Sequence, residues 1–212
     1  MLTQWTAIWL LFSHTADRKV NMPRELVYTG FMSLDGVVDS PGSPAEGHRS
    51  GGWVVDTEFV PEAFTLKGEE LTETTALMFG RRSYEAFAPV WRDSEDHAAY
   101  RDLPKYLVST TLTDADLVDG WGPITILRSS ADVASVKQGD GGAIFIHGSG
   151  ELARRLSDAD LIDRYNLLVF PVLLGAGKSL FSRDDRDKRQ LRLRESEIYS
   201  NGVTKLIYDV VY

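Results

Sequence analysis

An α/β fold is predicted for this chain: a mostly parallel sheet with helices on both faces, closed by an antiparallel C-terminal hairpin. Three observations predict it. Short apolar, β-rich runs alternate with segments of helical character from residue 26 to residue 170. Those runs repeatedly stop at aspartate, glycine or serine, the residues that turn a chain. Near the end, Ser200-Asn201-Gly202 separates two further β-rich runs, and Asn-Gly in that setting marks a hairpin.

The first run, residues 26–34, reads as a buried strand that stops at Asp35-Gly36. Residues 39–52 are rich in Gly, Pro and Ser and form a long loop, a kind often functional in a compact domain. Pro61 opens a helix that continues to Thr74. Residues 76–79 form the second strand, ending at Gly80, and residues 81–87 a helix. Strands follow at 106–109, 124–127 and 143–146. After Gly148-Ser149-Gly150 comes a helix from Glu151, then a strand at 165–170. The hairpin pairs 191–199 with 203–211. In such sheets the ligand crevice lies beyond the C-terminal strand ends. Asp35, Gly80, Ser109 and Gly148 all fall there, which together suggests a nucleotide site.

Length and composition narrow the function. A chain of 212 residues suits one domain, and a domain of this size buries about 70% of its unfolded surface without a disulfide or metal staple. The sequence has no cysteine, which excludes a thiol nucleophile, a disulfide scaffold and cysteine-ligated zinc. It fits a reducing, cytoplasmic setting. The formal net charge is -8, and no basic stripe suited to nucleic acid is present. No apolar run reaches the ~18 residues that a bilayer span needs. Residues 1–22 read as an extension before a domain of residues 23–212. Met22 is a candidate start, and a short helix packed on a neighbouring surface is the alternative for residues 5–12.

The motifs favour a dinucleotide. Gly80-Arg81-Arg82-Ser83 lies between a strand and a helix, where glycine permits close approach, helix amides favour an anion and arginine grips phosphate. A plain turn with Ser83 as cap explains the same residues. Gly148-Ser149-Gly150 repeats that logic without completing Gly-x-Gly-x-x-Gly, since residue 153 is alanine. Gly175-Ala176-Gly177-Lys178-Ser179 is not a P-loop, because Val172 stands where that motif needs glycine. Asp35 places a carboxylate at the crevice mouth, to orient or protonate a substrate nitrogen, or simply to close an Asp-Gly turn. His14, His48, His97 and His147 show no metal-ligand spacing, so no metal is expected.

In order, Ser33-Leu34-Asp35-Gly36, the run 77–85 with Gly80-Arg81-Arg82-Ser83, the run 104–110, His147-Gly148-Ser149-Gly150, Leu161-Ile162-Asp163 and the run 171–181 resemble the dihydrofolate-reductase-like fold. They are most similar to the reductase domain of the bifunctional riboflavin-biosynthesis deaminase/reductase, over nearly all of residues 24–212. The resemblance implies an αβα sandwich and NADPH as hydride donor. It implies that Gly80, Arg81 and Ser83 meet the cofactor phosphates, with Arg81 on the 2′-phosphate. Ser109 and Thr110 would contact the adenosine side, Gly148, Ser149, Gly150 and Glu151 the pyrophosphate, and Asp35 the nicotinamide and substrate. Ser83 stands where threonine is usual, and Glu58 and Glu62 are the candidates for a substrate-binding acid on the first helix. The implied function is reduction of a small pyrimidine- or pterin-like heterocycle by a homodimer, as in riboflavin biosynthesis. A dinucleotide-binding or ligand-sensing module without catalysis is the alternative.

Overall fold

The computed structural model describes residues 23–184 and 187–212. The expected extension over residues 1–22 lies outside the described residues. The strands are β1 (Leu26–Ser33), β2 (Thr74–Gly80), β3 (Lys105–Val108), β4 (Ile124–Leu127), β5 (Ala143–His147), β6 (Arg164–Phe170), β7 (Gln190–Ile198) and β8 (Thr204–Val211). The helices are α1 (Thr65–Glu73), α2 (Arg81–Trp91), α3 (Ser130–Lys137) and α4 (Gly150–Asp158). One sheet has the order β4-β3-β2-β5-β1-β6-β8-β7. Its first six strands pair in parallel, and β8 and β7 add antiparallel. This is the expected α/β architecture with its C-terminal hairpin.

Strand alternation sorts side chains to two faces. Leu26, Tyr28, Ala76, Met78, Ile144 and Ile146 join Val133 of α3 and Leu152 and Leu156 of α4 in one core. Leu77 and Phe79 point the other way and pack with Tyr84 and Ala88 of α2. Leu66 of α1 packs with Leu168 and Phe170 on that second face. Burying each of these large side chains contributes roughly 1.5–3 kcal/mol.

Three local expectations change. The helix expected from Pro61 to Thr74 begins as a 3-10 turn, Pro61–Phe64, and becomes α-helical only at Thr65. It stops at Glu73, where the Thr74 hydroxyl donates to the Glu70 carbonyl at 2.7 Å and the chain turns extended. Helix α3 was not anticipated, although its capping box is legible: Ser129 accepts from the Asp132 amide, and Asp132 accepts from the Ser129 amide. The first strand ends at Ser33, and Leu34 stands 67% exposed at the crevice mouth.

The sheet has a notch at its C-terminal edge. β5 stops at His147, which pairs with Thr29 of β1. Beyond that level β1 continues to Ser33 against β6 alone, and β2 continues to Gly80 against β3 alone. The chain leaves β2 through α2 toward β3, and leaves β5 through α4 toward β6 on the opposite face. Divergent connections of this kind open a crevice at a switch point.

Candidate active site at the carboxyl edge of the sheet

Two helix N-termini meet at the notch. Gly80 caps α2 and Ser149 caps α4. The Gly80 amide donates to Ser149 Oγ at 3.0 Å, and the Ser149 amide donates to Ser83 Oγ at 2.8 Å. This reciprocal clasp fixes the two turns against each other, so Ser83 and Ser149 are joined to protein first. Ser149 holds a left-handed conformation with φ 52, an uncommon state for a non-glycine residue. Gly148 also has positive φ, and a Cβ there would lie 3.1 Å from the Phe87 ring.

Gly80 differs. Its φ is -81, and an added Cβ would sit 3.5 Å from Leu152, an ordinary contact. Neither backbone strain nor internal packing requires glycine at 80. Glycine at 80 leaves the backbone open to close approach from outside. The first-turn amides of α2 and α4 have no carbonyl four residues back and favour an anion. Helix α2 has no acid in its first turn and carries Arg81 and Arg82 there instead. Cations at a helix N-terminus are disfavoured by the helix dipole unless an anion joins them. Arg81 makes a loose contact with Glu85, 3.8 Å apart with both side chains about half exposed, and acts at longer range on Asp116.

Ser109 follows β3, whose Val108 is level with Gly80. It is buried, and its hydroxyl accepts from the Thr111 and Leu112 amides at 3.2 and 3.1 Å. Arg128 donates to the carbonyls of Ser109 and Leu112, both at 2.7 Å. Ser109 therefore shapes the turn, and Thr110 and Thr111 are its exposed members. Glu151 is half-exposed on α4 and pairs with Arg155 at 2.6 Å. Gly150 packs so closely on Val38 that a Cβ would fall 2.3 Å from Val38 Cγ2.

Asp35 sits across the notch with a different task. Its carboxylate accepts from Ser33 Oγ at 2.6 Å, from the Gly175 amide at 2.7 Å and from the Leu174 amide at 3.2 Å. The Ser33 hydroxyl first, then the Gly175 amide, hold its pKa down at about 2. These bonds anchor the chain at Leu174 and Gly175 to Asp35 and favour its ionised form. Asp39 repeats the pattern, accepting from the Lys178 ammonium at 2.6 Å and the Lys178 amide at 3.2 Å. His48 Nε2 lies 2.9 Å from the Ala176 carbonyl. The glycine-rich run 174–178 is thus a strap holding the loop after β1.

Glu58 and Glu62 are exposed. The acid that the first helix turns inward is Glu70, 1% exposed, with Oε1 accepting from Asn166 Nδ2 at 2.8 Å and Oε2 3.2 Å from Lys67 Nζ. Sequence reasoning missed Lys67, Glu70, Thr29 and Asn166. The available signal was spacing: Glu70 lies four residues after Leu66, on one helix face. His147 is buried against Trp91 and Tyr100, with ring centroids 5.3 Å away in each case. Burial drives its pKa well below the usual range, so it is neutral. Among the described residues, no group of three or more His, Asp or Glu is placed to hold a metal, and no helix is long and apolar enough to cross a membrane.

Known proteins are similar to this chain. The model of the RibD C-terminal domain matches residues 24–205. The uncharacterized protein YyaP of Bacillus subtilis (strain 168) is 26% identical over 145 residues, which is 65% of this chain and 75% of YyaP. A putative riboflavin biosynthesis protein from Shewanella sp. PV-4 superposes with a TM-score of 0.68 at 19% identity, covering 89% of this chain and 99% of that one. Dihydrofolate reductase from Enterococcus faecalis, solved with NADP(H), superposes with a TM-score of 0.55 at 13% identity, covering 89% and 97%. The last two likenesses establish the dihydrofolate-reductase-like fold that the notch and the hairpin describe. With the match across residues 24–205, they lead to one conclusion: the chain belongs to the RibD C-terminal domain family.

Proposed function

We propose that this protein is an NADPH-dependent reductase acting on a small pyrimidine- or pterin-like heterocycle, in the manner of the riboflavin-pathway reductases. The observation that carries the reading is Gly80: a glycine with no internal reason to be one, between two clasped helix N-termini and beside two arginines. These features fit a dinucleotide. Gly80 and the α2 first turn would hold one phosphate, Arg81 the 2′-phosphate, and residues 148–151 the pyrophosphate. Thr110 would face the adenosine side. When bound, the cofactor supplies the hydride.

The chain's own residues then orient and enclose. The Ser83–Ser149 clasp keeps the two anion-favouring turns in one geometry, so no reorganisation is needed on binding. Asp35 and Asp39 hold the loop after β1 against the strap, which walls the crevice on the substrate side. With Asp35 held ionised, the proton comes from water or from another group in the cleft. The test is loss of NADPH absorbance with pterins, dihydrofolate and riboflavin-pathway pyrimidines as acceptors. Cofactor binding with no turnover across that panel would favour a ligand-sensing module instead. A homodimer belongs to the same reading, since the β7 edge leaves Leu193 50% and Ile198 79% exposed. Sedimentation velocity would check it.

A further inference from the structure

We propose that Lys67 is the substrate-recognition cation of this cleft. It takes a hydrogen-bond acceptor on the ring, a carbonyl or anionic oxygen, and rejects a ring amine at that place. The inference rests on reading the notch as the reductase site. Thr29 forms the floor of the notch, level with the last residue of β5. The Lys67 ammonium donates to Thr29 Oγ1, lies 3.2 Å from Glu70 Oε2 and sits 5.5 Å over the Phe31 ring. An ammonium has three N–H donors, and two are committed to these partners. The side chain is 27% exposed, whereas Glu70 is 1% exposed.

The walls beside this donor are aromatic. Phe31 meets Phe64 edge-on at 6.0 Å, and Phe59, 70% exposed, stacks on Phe64 at 5.2 Å. Apolar walls with a few directed polar groups suit a flat heterocycle. The floor also carries surplus polarity. Asn166 and His147 flank Thr29 on the neighbouring strands, and Asn166 Oδ1 and His147 Nε2 are buried without a partner. Unpaired buried polar groups are costly and call for an explanation. Both oxygens of Glu70 are meanwhile engaged by Asn166 and Lys67, so the acid is not free to receive a cationic amine.

The competing account is that Lys67 only neutralises Glu70. Pteridine-2,4-dione and pteridine-2,4-diamine separate the two, because they share a skeleton and differ in acceptor against donor. Each is titrated by fluorescence into the full chain, with and without saturating NADPH. The expected result is dione binding with the diamine at least about tenfold weaker. The double variant K67M/E70Q leaves no buried charge unpaired. It should lose about ten- to a hundredfold in dione affinity, the scale of one charged hydrogen bond, and keep its melting temperature and NADPH affinity. K67R should retain most of the dione affinity. A wild type that prefers the diamine or binds neither ring, or a double variant that binds the dione normally, overturns the proposal. Should the double variant fail to fold, the wild-type preference decides alone. Failure of the reductase reading looks different: no NADPH binding or consumption while dione selectivity stands.

Discussion

Two glycine-rich turns, 148–150 and 175–177, look alike in sequence and are held in different ways. At 174–178 three amides are held by carboxylates: Asp35 occupies those of Leu174 and Gly175, and Asp39 that of Lys178. The protein's own carboxylates sit where a phosphate would, and the run serves as a strap. At 148–150 the turn opens helix α4, whose first-turn amides have no carbonyl behind them, and it is clasped to a second such turn at Gly80. Glycine content alone therefore does not distinguish an anion site from a structural strap. The Ser149 and Gly80 amides are taken too, by the clasp, so what separates the two turns is the helix that follows 148–150, whose first-turn amides lack intrahelical acceptors.

The largest expected effect breaks the strap. Gly177 has φ 123, and a Cβ there would lie 2.7 Å from Val37 Cγ1. Gly177→Ala should destabilise the fold by about 1–3 kcal/mol, visible as a fall in melting temperature, with dinucleotide affinity per folded molecule unchanged. Gly80→Ala should do the reverse. The fold should keep or slightly gain stability, since the added methyl fits, and dinucleotide affinity should fall about tenfold. A Gly80→Ala protein that binds NADPH normally would remove the distinction between the turns.

Asp35→Asn gives a smaller effect. The folded carboxyl titrates at about 2, below the roughly 3.9 of an unfolded aspartate, so its contribution to stability is present above the unfolded value. The wild type should therefore be the more stable protein at neutral pH, and its advantage should disappear as pH falls from about 4 to about 2. Denaturant titrations across that range check it, and the turnover profile near neutrality should show no ionisation assignable to Asp35. The smallest effect belongs to residues 1–22, which we propose are dispensable: a chain starting at Met22 should melt within about 5 °C of the full chain.

Much of the fold was legible because its cues are local. Strand alternation, the Asn201-Gly202 turn and the strand-ending glycines each act within a few residues, and the structure keeps them. Helix α3 was equally local, in its Ser129–Asp132 box, and was missed because its apolar stripe is weak. The site was half legible. Gly80, Ser83, Ser149 and Gly150 come together as their turn chemistry suggests. The part of Asp35 was not legible, because its partners lie about 140 positions away in the strap. Lys67 and Glu70 were hidden for a similar reason: their meaning comes from Thr29 and Asn166, neighbours only once the sheet order is fixed.

In the proposed function, the turn at Gly80 binds the phosphate-bearing end of a dinucleotide through Arg81. Calorimetric titration of NADPH and NADH into the wild type and Arg81→Ala tests it most directly. An arginine–phosphate contact of roughly 1.5–3 kcal/mol predicts NADPH preferred about ten- to a hundredfold by the wild type. In Arg81→Ala most of that preference should vanish through loss of NADPH affinity, with NADH little changed. Equal losses for both cofactors, or no binding of either by the wild type, would contradict it.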